Sequence, residues 1–428
     1  MHMSKKAWVV SINMGYGHQR TAAALRDLAA RKRVINANDY EGIPKGDKNV
    51  WEGSRQFYEF VSRFKKAPFI GNIVFSLFDA TQRITEFYPK RDLSQSNFTQ
   101  KRTYPLFNRG WGKHLIKKLS TKDKRPLIST FYTPAFMAEH FNYPGDIYCV
   151  VCDADISRAW APLKPKQSRI KYFAPTKRVV DRLRLYGIRK ENIFLTGYPL
   201  PMEIIGKRLE KVKEDLKQRI INLDPWGVYQ KRYGEMLKEK LGEFPSKADH
   251  PLTVMFAVGG AGAQKEIGVQ ILKQLRDNIS NGEVKIILVA GTKKKIKEYF
   301  EKEIENLRIS PSKKMVEILF EETFEEYFDS FNSALRKTDI LWTKPSELSF
   351  YSALGLPIII APTIGSQEEF NKDWLLNSGF GAEEENAGFI KDWLFDWLRE
   401  GRLAEMAMEG FIEGEQLGVL RIKEVIEK

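Results

Sequence analysis

A strand, a helix and a second strand follow one another at the start of the chain, and this order restricts the fold more than any other feature. Residues 7–14 (AWVVSINM) read as a strand, 19–32 as a helix and 33–39 (RVINAND) as a second strand. Such a unit favours a parallel sheet, because parallel neighbours need a crossover connection. PLIST (126–130), DIYCVVCD (146–153), YFAPT (172–176), a helix at 177–187 and IFLTGYP (193–199) continue the series. A charged, helix-patterned stretch follows over 204–250. A second series then runs LTVMFAVGG, VKIILVAGT, VEILF, DILWTK and LPIIIAP, with helical segments between. The expected class is α/β, with two Rossmann-like domains and a cleft between them, where ligands usually bind. The first domain is expected over 1–203, a helical linker or insertion over 204–250 and the second domain over 251–400. A C-terminal helix over 401–428 is expected to pack back toward the first domain.

The 428 residues suffice for two cores. No apolar run reaches the roughly 18 residues of a membrane span. The start, MHMSKKAWVV, is too short and too quickly structured for a signal peptide. With two cysteines no disulfide framework is expected, and a cytoplasmic location is expected. These are Cys149 and Cys152. Their spacing matches a redox or half-zinc motif, but they lie in a buried-strand pattern with no second pair to complete a metal site. A structural role is the expectation.

Charge is distributed unevenly. Residues 1–200 carry 36 Lys/Arg against 16 Asp/Glu, a balance of +20, whereas 201–428 carry 33 against 39, a balance of −6. The basic half should attract a polyanion or an anionic surface. Within it, residues 51–125 break the α/β rhythm with 16 Lys/Arg, 6 Asp/Glu and 14 aromatic residues. This is the composition of helices lying in a membrane interface, with aromatics in the headgroup region and cations on anionic lipid. The other reading is an amphipathic insertion packed on its own domain. Nucleic acid is disfavoured, since no recognised module accompanies the charge.

Two glycine loops follow strands. Gly15-Tyr16-Gly17-His18 opens a helix, and its third glycine position holds Arg20, so it is not the dinucleotide fingerprint. Gly259, Gly260 and Gly262, followed by Gln264, repeat the arrangement in the second series. In the stretch 338–381, Ser346 is placed to cap a short helix, Glu347 to Leu354, whose N-terminus would favour a diphosphate. Gln367 and Asn371 follow on the next loop.

Together these segments resemble the GT-B glycosyltransferases that include the peptidoglycan N-acetylglucosaminyltransferase and the diacylglycerol glycosyltransferases (glycosyltransferase family 28). MGYGHQRTAAAL is similar to their opening Gly-x-Gly-His loop. VVCDADISRAW resembles their Thr-Asp…Trp stretch, with Cys152 at the threonine and Trp160 at the tryptophan. RLYGIRKENIFLTGYPLP is similar to the end of their first domain, and GGAGAQ to their second glycine loop. TDILWTK, GLPIII and GSQEEFN resemble their donor-site signature, which includes Gln-Glu-x-x-Asn. One departure stands out. The turn after Lys344 is about two residues shorter than the family's, and the family's ribose-binding Glu falls near Ser352. Glu347, the nearest carboxylate, either takes over ribose binding or caps its helix.

The resemblance implies an inverting transfer from a nucleotide-sugar, expected to be UDP-linked, to a hydroxyl of a lipid or lipid-linked acceptor. His18 would be the general base and Asp153 its partner or the acceptor's. Gly15, Gly17, Arg20 and Trp160 would line the acceptor side. Gly259, Gly260, Gly262, Gln264, Lys344, Ser346, Glu347, Ser352, Gln367, Glu368 and Asn371 would hold the donor. No cofactor or metal is implied. Asp153-Ala154-Asp155 only superficially matches the Asp-x-Asp metal motif of another glycosyltransferase fold. The implied location is peripheral, on the inner face of the membrane. Two other classes compete: a sugar-nucleotide epimerase with the same two-domain fold, and a noncatalytic nucleotide- or lipid-binding protein.

Overall fold

The computed structural model describes residues 6–64, 84–120, 122–257, 264–309, 314–363 and 366–428, with backbone alone for 57–64 and Ser366. The chain divides into two compact units. The first comprises Met1–Pro199, Gly365–Phe370 and Leu417–Lys428, and the second Leu200–Ile364 and Asn371–Gln416. Each is built on one six-stranded parallel sheet, so the α/β class expected from the sequence is the class found.

In the first unit the strands are β1 (Ala7–Ser11), β2 (Ala29–Asn36), β3 (Leu127–Ser129), β4 (Ile147–Val150), β5 (Lys171–Ala174) and β6 (Ile193–Leu195). Their order is β2-β1-β3-β4-β5-β6, all parallel. Every residue of β3 and β4 is buried, as a sheet covered on both faces requires. The order reverses between β1 and β3. At such a point the two loops leaving the strands' C-terminal ends run apart and open a crevice.

The first helix differs from the sequence reading. It spans Tyr16–Ala24, and β2 begins at Ala29, inside the segment read as helical. Ala29 pairs with Ala7, and pairing resumes at Val34 with Val9. The residues between bulge outward at Arg31 and Lys32, both with positive φ. Their exposed, charged side chains mimic a helix face in sequence.

The segment 51–125 contributes most of the helix Lys45–Phe64, the helices Phe98–Asn108 and Lys113–Leu119, and an irregular stretch from Ile84; residues 65–83 lie outside the described residues. Several of its aromatics form core. Trp51 and Trp111 are buried with ring centroids 4.8 Å apart, and Phe107 stacks on Trp111 at 5.6 Å. Phe98 and Tyr88 are exposed.

In the second unit the strands are β7 (Leu252–Ala257), β8 (Val284–Gly291), β9 (Val316–Phe320), β10 (Ile340–Thr343), β11 (Ile358–Ile360) and β12 (Gly381–Glu383). Their order, β12-β11-β10-β7-β8-β9, is that of a doubly wound dinucleotide fold, reversing between β7 and β10. All six residues of β7 are buried. Residues 204–250 form helices Glu210–Leu223 and Val228–Leu241, and the first of these is integral to the second unit. Its Arg219 is buried and donates to the main-chain oxygens of Thr338 and Leu354, both at 2.8 Å.

The C-terminal region is two helices rather than one. Arg402–Glu413 belongs to the second unit and Gly418–Glu427 to the first. Gly418 sits where an added Cβ would lie 2.2 Å from the Tyr198 oxygen, and Arg421 donates to the Thr196 oxygen at 3.1 Å. Among the described residues, no helix is long and apolar enough to cross a membrane.

Candidate functional site

The first unit brings the loops after β1 and β3 together at the point where its strand order reverses. Gly15 has φ 136°, a backbone angle that favours glycine, and lets the chain turn from β1 directly into the helix Tyr16–Ala24. That turn sets His18 in the helix's first turn. The Nδ1 of His18 lies 2.8 Å from the main-chain oxygen of Thr130. A carbonyl oxygen only accepts, so Nδ1 carries the proton and the lone pair is on Nε2. The Thr130 hydroxyl closes a second link, donating to the His18 main-chain oxygen at 3.0 Å and lying 3.1 Å from Ser11 Oγ.

Aromatic rings flank the imidazole. Phe131 meets it edge-on at 4.8 Å, and Trp160 stands 6.3 Å away. Tyr132 packs on Trp160 at 5.4 Å, and its burial pushes its hydroxyl well above the ordinary range. The Cys152 sulfur is 3.4 Å from His18 Nδ1. Of the residues singled out in the sequence, the structure thus brings His18, Trp160 and Cys152 together. Thr130 and Phe131 are additions. Their signal was faint: a polar-aromatic pair directly after a strand.

The remaining first-unit candidates fare differently. Arg20 is 2% exposed, so its guanidinium is not presented to a ligand from solution. Gly17 stays in the helix's first turn, where its oxygen accepts from Thr21 Oγ1 at 2.8 Å. Asp153 is half-buried beside Cys152. Asp155 is 2% exposed and paired with two guanidinium groups, Arg182 at 2.8 Å and Arg178 at 2.9 Å. The second carboxylate of the Asp-x-Asp pattern is therefore committed to an internal ion pair. Cys149 and Cys152 are both buried free thiols, and burial pushes Cys149 far above the ordinary range. Among the described residues, no three His, Cys, Asp or Glu side chains group as metal ligands would.

In the second unit the reversal point lies between β7 and β10. Gly259, Gly260 and Gly262, in the loop after β7, lie outside the described residues. Gln264 ends that loop in a left-handed conformation (φ 67°), and its amide donates to the Pro362 oxygen at 2.5 Å, tying the loops after β7 and β11. Lys344 follows β10 directly and is half-buried. Ser346 stands at the N-terminal cap position expected of it, yet its side chain makes no capping hydrogen bond. The short helix expected over Glu347–Leu354 is found there as a 3-10 helix with every residue buried.

That burial takes in both ribose candidates. Ser352 is fully buried and its hydroxyl donates to the Ser349 oxygen at 2.8 Å, so it is corrected from ligand to core. Glu347, 8% exposed, is the first carboxylate after β10 and opens that helix. Gln367 and Glu368 open the helix Ser366–Asn377, which follows β11, and are half-buried; Asn371, one turn on, is buried. Glu384 was missed by the sequence reading. It directly follows β12, accepts from Trp342 Nε1 at 2.7 Å, and is raised above the usual carboxylate range by burial, against the pull of that hydrogen bond.

Residues 245–374 match the model of DUF6938, a domain of unknown function. The sequence matches no curated protein. Among solved structures the chain is similar to the S. aureus MnaA–UDP co-structure, at 14% identity over 98% of this chain and 94% of that one, TM-score 0.49. It is also similar to UDP-GlcNAc 2-epimerase from Neisseria meningitidis bound to UDP-GlcNAc, at 12% identity over 83% and 88%, TM-score 0.47. A third likeness is to a glycosyltransferase from Rickettsia africae, at 12% identity over 98% and 97%, TM-score 0.43. All three scores lie below 0.5, so the architecture rests on the two strand orders.

Proposed function

We propose that the chain is a nucleotide-sugar enzyme of the GT-B kind, and specifically an inverting glycosyltransferase acting on a hydroxyl of a lipid or lipid-linked acceptor. The observation that carries this reading is the 2.8 Å contact from His18 Nδ1 to the Thr130 oxygen. It fixes the tautomer a general base needs, at a strand-order reversal where α/β sheets bind ligands.

In this mechanism the acceptor hydroxyl gives its proton to His18 Nε2 as its oxygen attacks the anomeric carbon. The bond from that carbon to the diphosphate breaks, and its electron pair leaves with the nucleoside diphosphate. Asp153 would steady the imidazolium that forms, which then releases its proton to solvent. Lys344 and the backbone N–H groups that begin Glu347–Leu354 would stabilise the leaving diphosphate. Glu347 would hold the ribose, with Gln367, Glu368 and Asn371 toward the sugar. A UDP-sugar is the donor proposed.

Acceptor delivery would use the basic first unit. Residues 93–120 carry six Lys/Arg and no Asp/Glu. Lys101, Arg102, Arg109, Lys113, Lys117 and Lys118 are exposed, as is Phe98. Near an anionic surface each such cation contributes about 1 kcal/mol. The protein is accordingly proposed to sit peripherally on the inner face of the membrane. Co-sedimentation with anionic but not neutral liposomes, weakened by salt, is the expected result.

The deciding measurement is nucleoside diphosphate release from a panel of nucleotide-sugars, with and without lipid acceptor. Acceptor-dependent release, lost in His18→Ala, supports the transferase. Interconversion of the free nucleotide-sugar without acceptor would assign an epimerase instead. Binding with neither reaction would leave a noncatalytic nucleotide-binding protein.

A further inference from the structure

Trp226 is a large aromatic held in solvent by a rigid turn. It is 47% exposed. The Asp224 carboxylate pins the turn, accepting from the backbone N–H of Tyr229 at 3.1 Å and of Gln230 at 2.8 Å. The turn thus presents a half-exposed aromatic ring as a pre-ordered stacking surface. It forms one wall of a cavity of about 510 Å³, whose other walls come from the helix Ile390–Arg399 and from Asn278. That volume is within the range of small-ligand sites.

The lining has a particular chemistry. Lys391 and Arg399 are balanced by Asp392 and Asp396, so the cavity has no net charge to attract a phosphate or other polyanion. The Arg399 guanidinium lies 5.7 Å over the Trp226 ring and bonds Asp396 Oδ1 at 2.6 Å. Both groups are thereby held in place around the aromatic face. Asn278 is 92% buried by its 8% exposure; its Nδ2 donates to Glu283 at 2.6 Å, whereas its Oδ1 accepts no hydrogen bond.

We propose that this cavity is a binding site for a neutral saccharide. The apolar C–H face of a pyranose would pack on Trp226, flanked by Phe395. Its hydroxyls would donate to Asp392 and accept from Lys391. An aromatic platform ringed by balanced donors and acceptors suits a neutral polyol, and suits an anion or an apolar chain poorly. The site lies away from the loops assigned to the nucleotide. Asn278 is on the helix Arg276–Asn281, which leads straight into the N-terminal end of β8, whereas those loops leave the C-terminal ends of β7 and β10. It therefore stands independently of the proposed transfer reaction.

The test uses the full chain with cellobiose, maltose and N,N′-diacetylchitobiose, each at millimolar concentration, observed by saturation-transfer-difference NMR. At least one is expected to show transfer concentrated on the C–H protons of one ring face. Excess UDP should leave that signal unchanged. Trp226→Ala should weaken binding about tenfold, and the exposed Asp392→Asn, which leaves the fold intact, should weaken it about fivefold by removing one charge-assisted bond. No transfer with any of the three sugars would overturn the proposal. So would a signal that UDP competes away, or one unchanged in both variants.

Discussion

His18 Nδ1 and the Thr130 main-chain oxygen, 2.8 Å apart, join the first turn of the helix after β1 to the loop after β3. Because the acceptor is backbone, no side-chain substitution deletes it, and the histidine's tautomer is built into the sheet. Loss of the base should therefore show in turnover and not in donor affinity. His18→Ala is expected to lower kcat by about 10²–10⁴-fold while UDP affinity stays within about twofold. The ascending acid limb of the pH–rate profile should vanish with it. A substantial loss of UDP affinity in His18→Ala would place the residue with the donor and remove it as the base.

Asp155 makes a different prediction. It accepts from Arg182 Nε and Nη2, each at 2.8 Å, and both side chains are essentially buried. Removing one partner of such a pair leaves a buried charge uncompensated, at a cost of about 3–5 kcal/mol. Asp155→Asn should lower the midpoint of chemical denaturation accordingly. Divalent cations should not change the wild-type midpoint, since this carboxylate is already committed. A cation-dependent stabilisation lost in Asp155→Asn would overturn the structural assignment.

The two ribose candidates can be separated in one experiment. Ser352 spends its hydroxyl on the Ser349 oxygen inside the core, and Glu347 opens the helix after β10. Ser352→Ala is expected to cost about 1 kcal/mol of stability with nucleotide affinity nearly unchanged. Glu347→Gln is expected to weaken nucleotide binding about tenfold, the scale of a lost hydrogen bond to a charged group. Isothermal titration with UDP reads both. The reverse pattern would return Ser352 to the site.

The strands were legible because buried parallel strands are short apolar runs bounded by turns, as in LTVMFAVGG, whose first six residues are the fully buried β7. His18 was legible because a glycine turn after a strand is a local signal. What escaped depended on distant residues. The outward bulge at Arg31–Lys32 follows from pairing with β1, and neither residue's identity announces a positive φ. The helices of 204–250 read as a charged linker because Arg219 looks like a surface residue until its carbonyl partners, more than a hundred positions away, are known. Ser352 looked available because its burial is set by the helix Arg402–Glu413, where an added Cβ on Gly410 would meet the Ser352 oxygen at 2.3 Å.

His250 gives the second unit a pH-dependent stability. The ring is nearly buried, with Nδ1 2.5 Å from Asp249 and Nε2 3.2 Å from Asp339, whose carboxylate also accepts from Asn222 and from the Thr253 backbone N–H. Burial alone would lower its pKa. The hydrogen bonds and charges of Asp339 and Asp249 outweigh burial, and the net shift is upward from 6.5. Lys337 acts on Asp249, and Arg219 on Asp339, from the neighbouring elements. A histidine whose folded pKa exceeds its unfolded one binds more protons when folded, so stability falls as pH rises. Its contribution is fully present below about 6.5 and is lost as pH climbs through the folded value. Denaturation midpoints measured between about pH 6 and pH 9 should decline in the wild type. In His250→Gln the curve should flatten over that window, with the largest loss relative to wild type at the acid end. A wild-type midpoint that rises across the same window would show that the ring is neutral in the folded state.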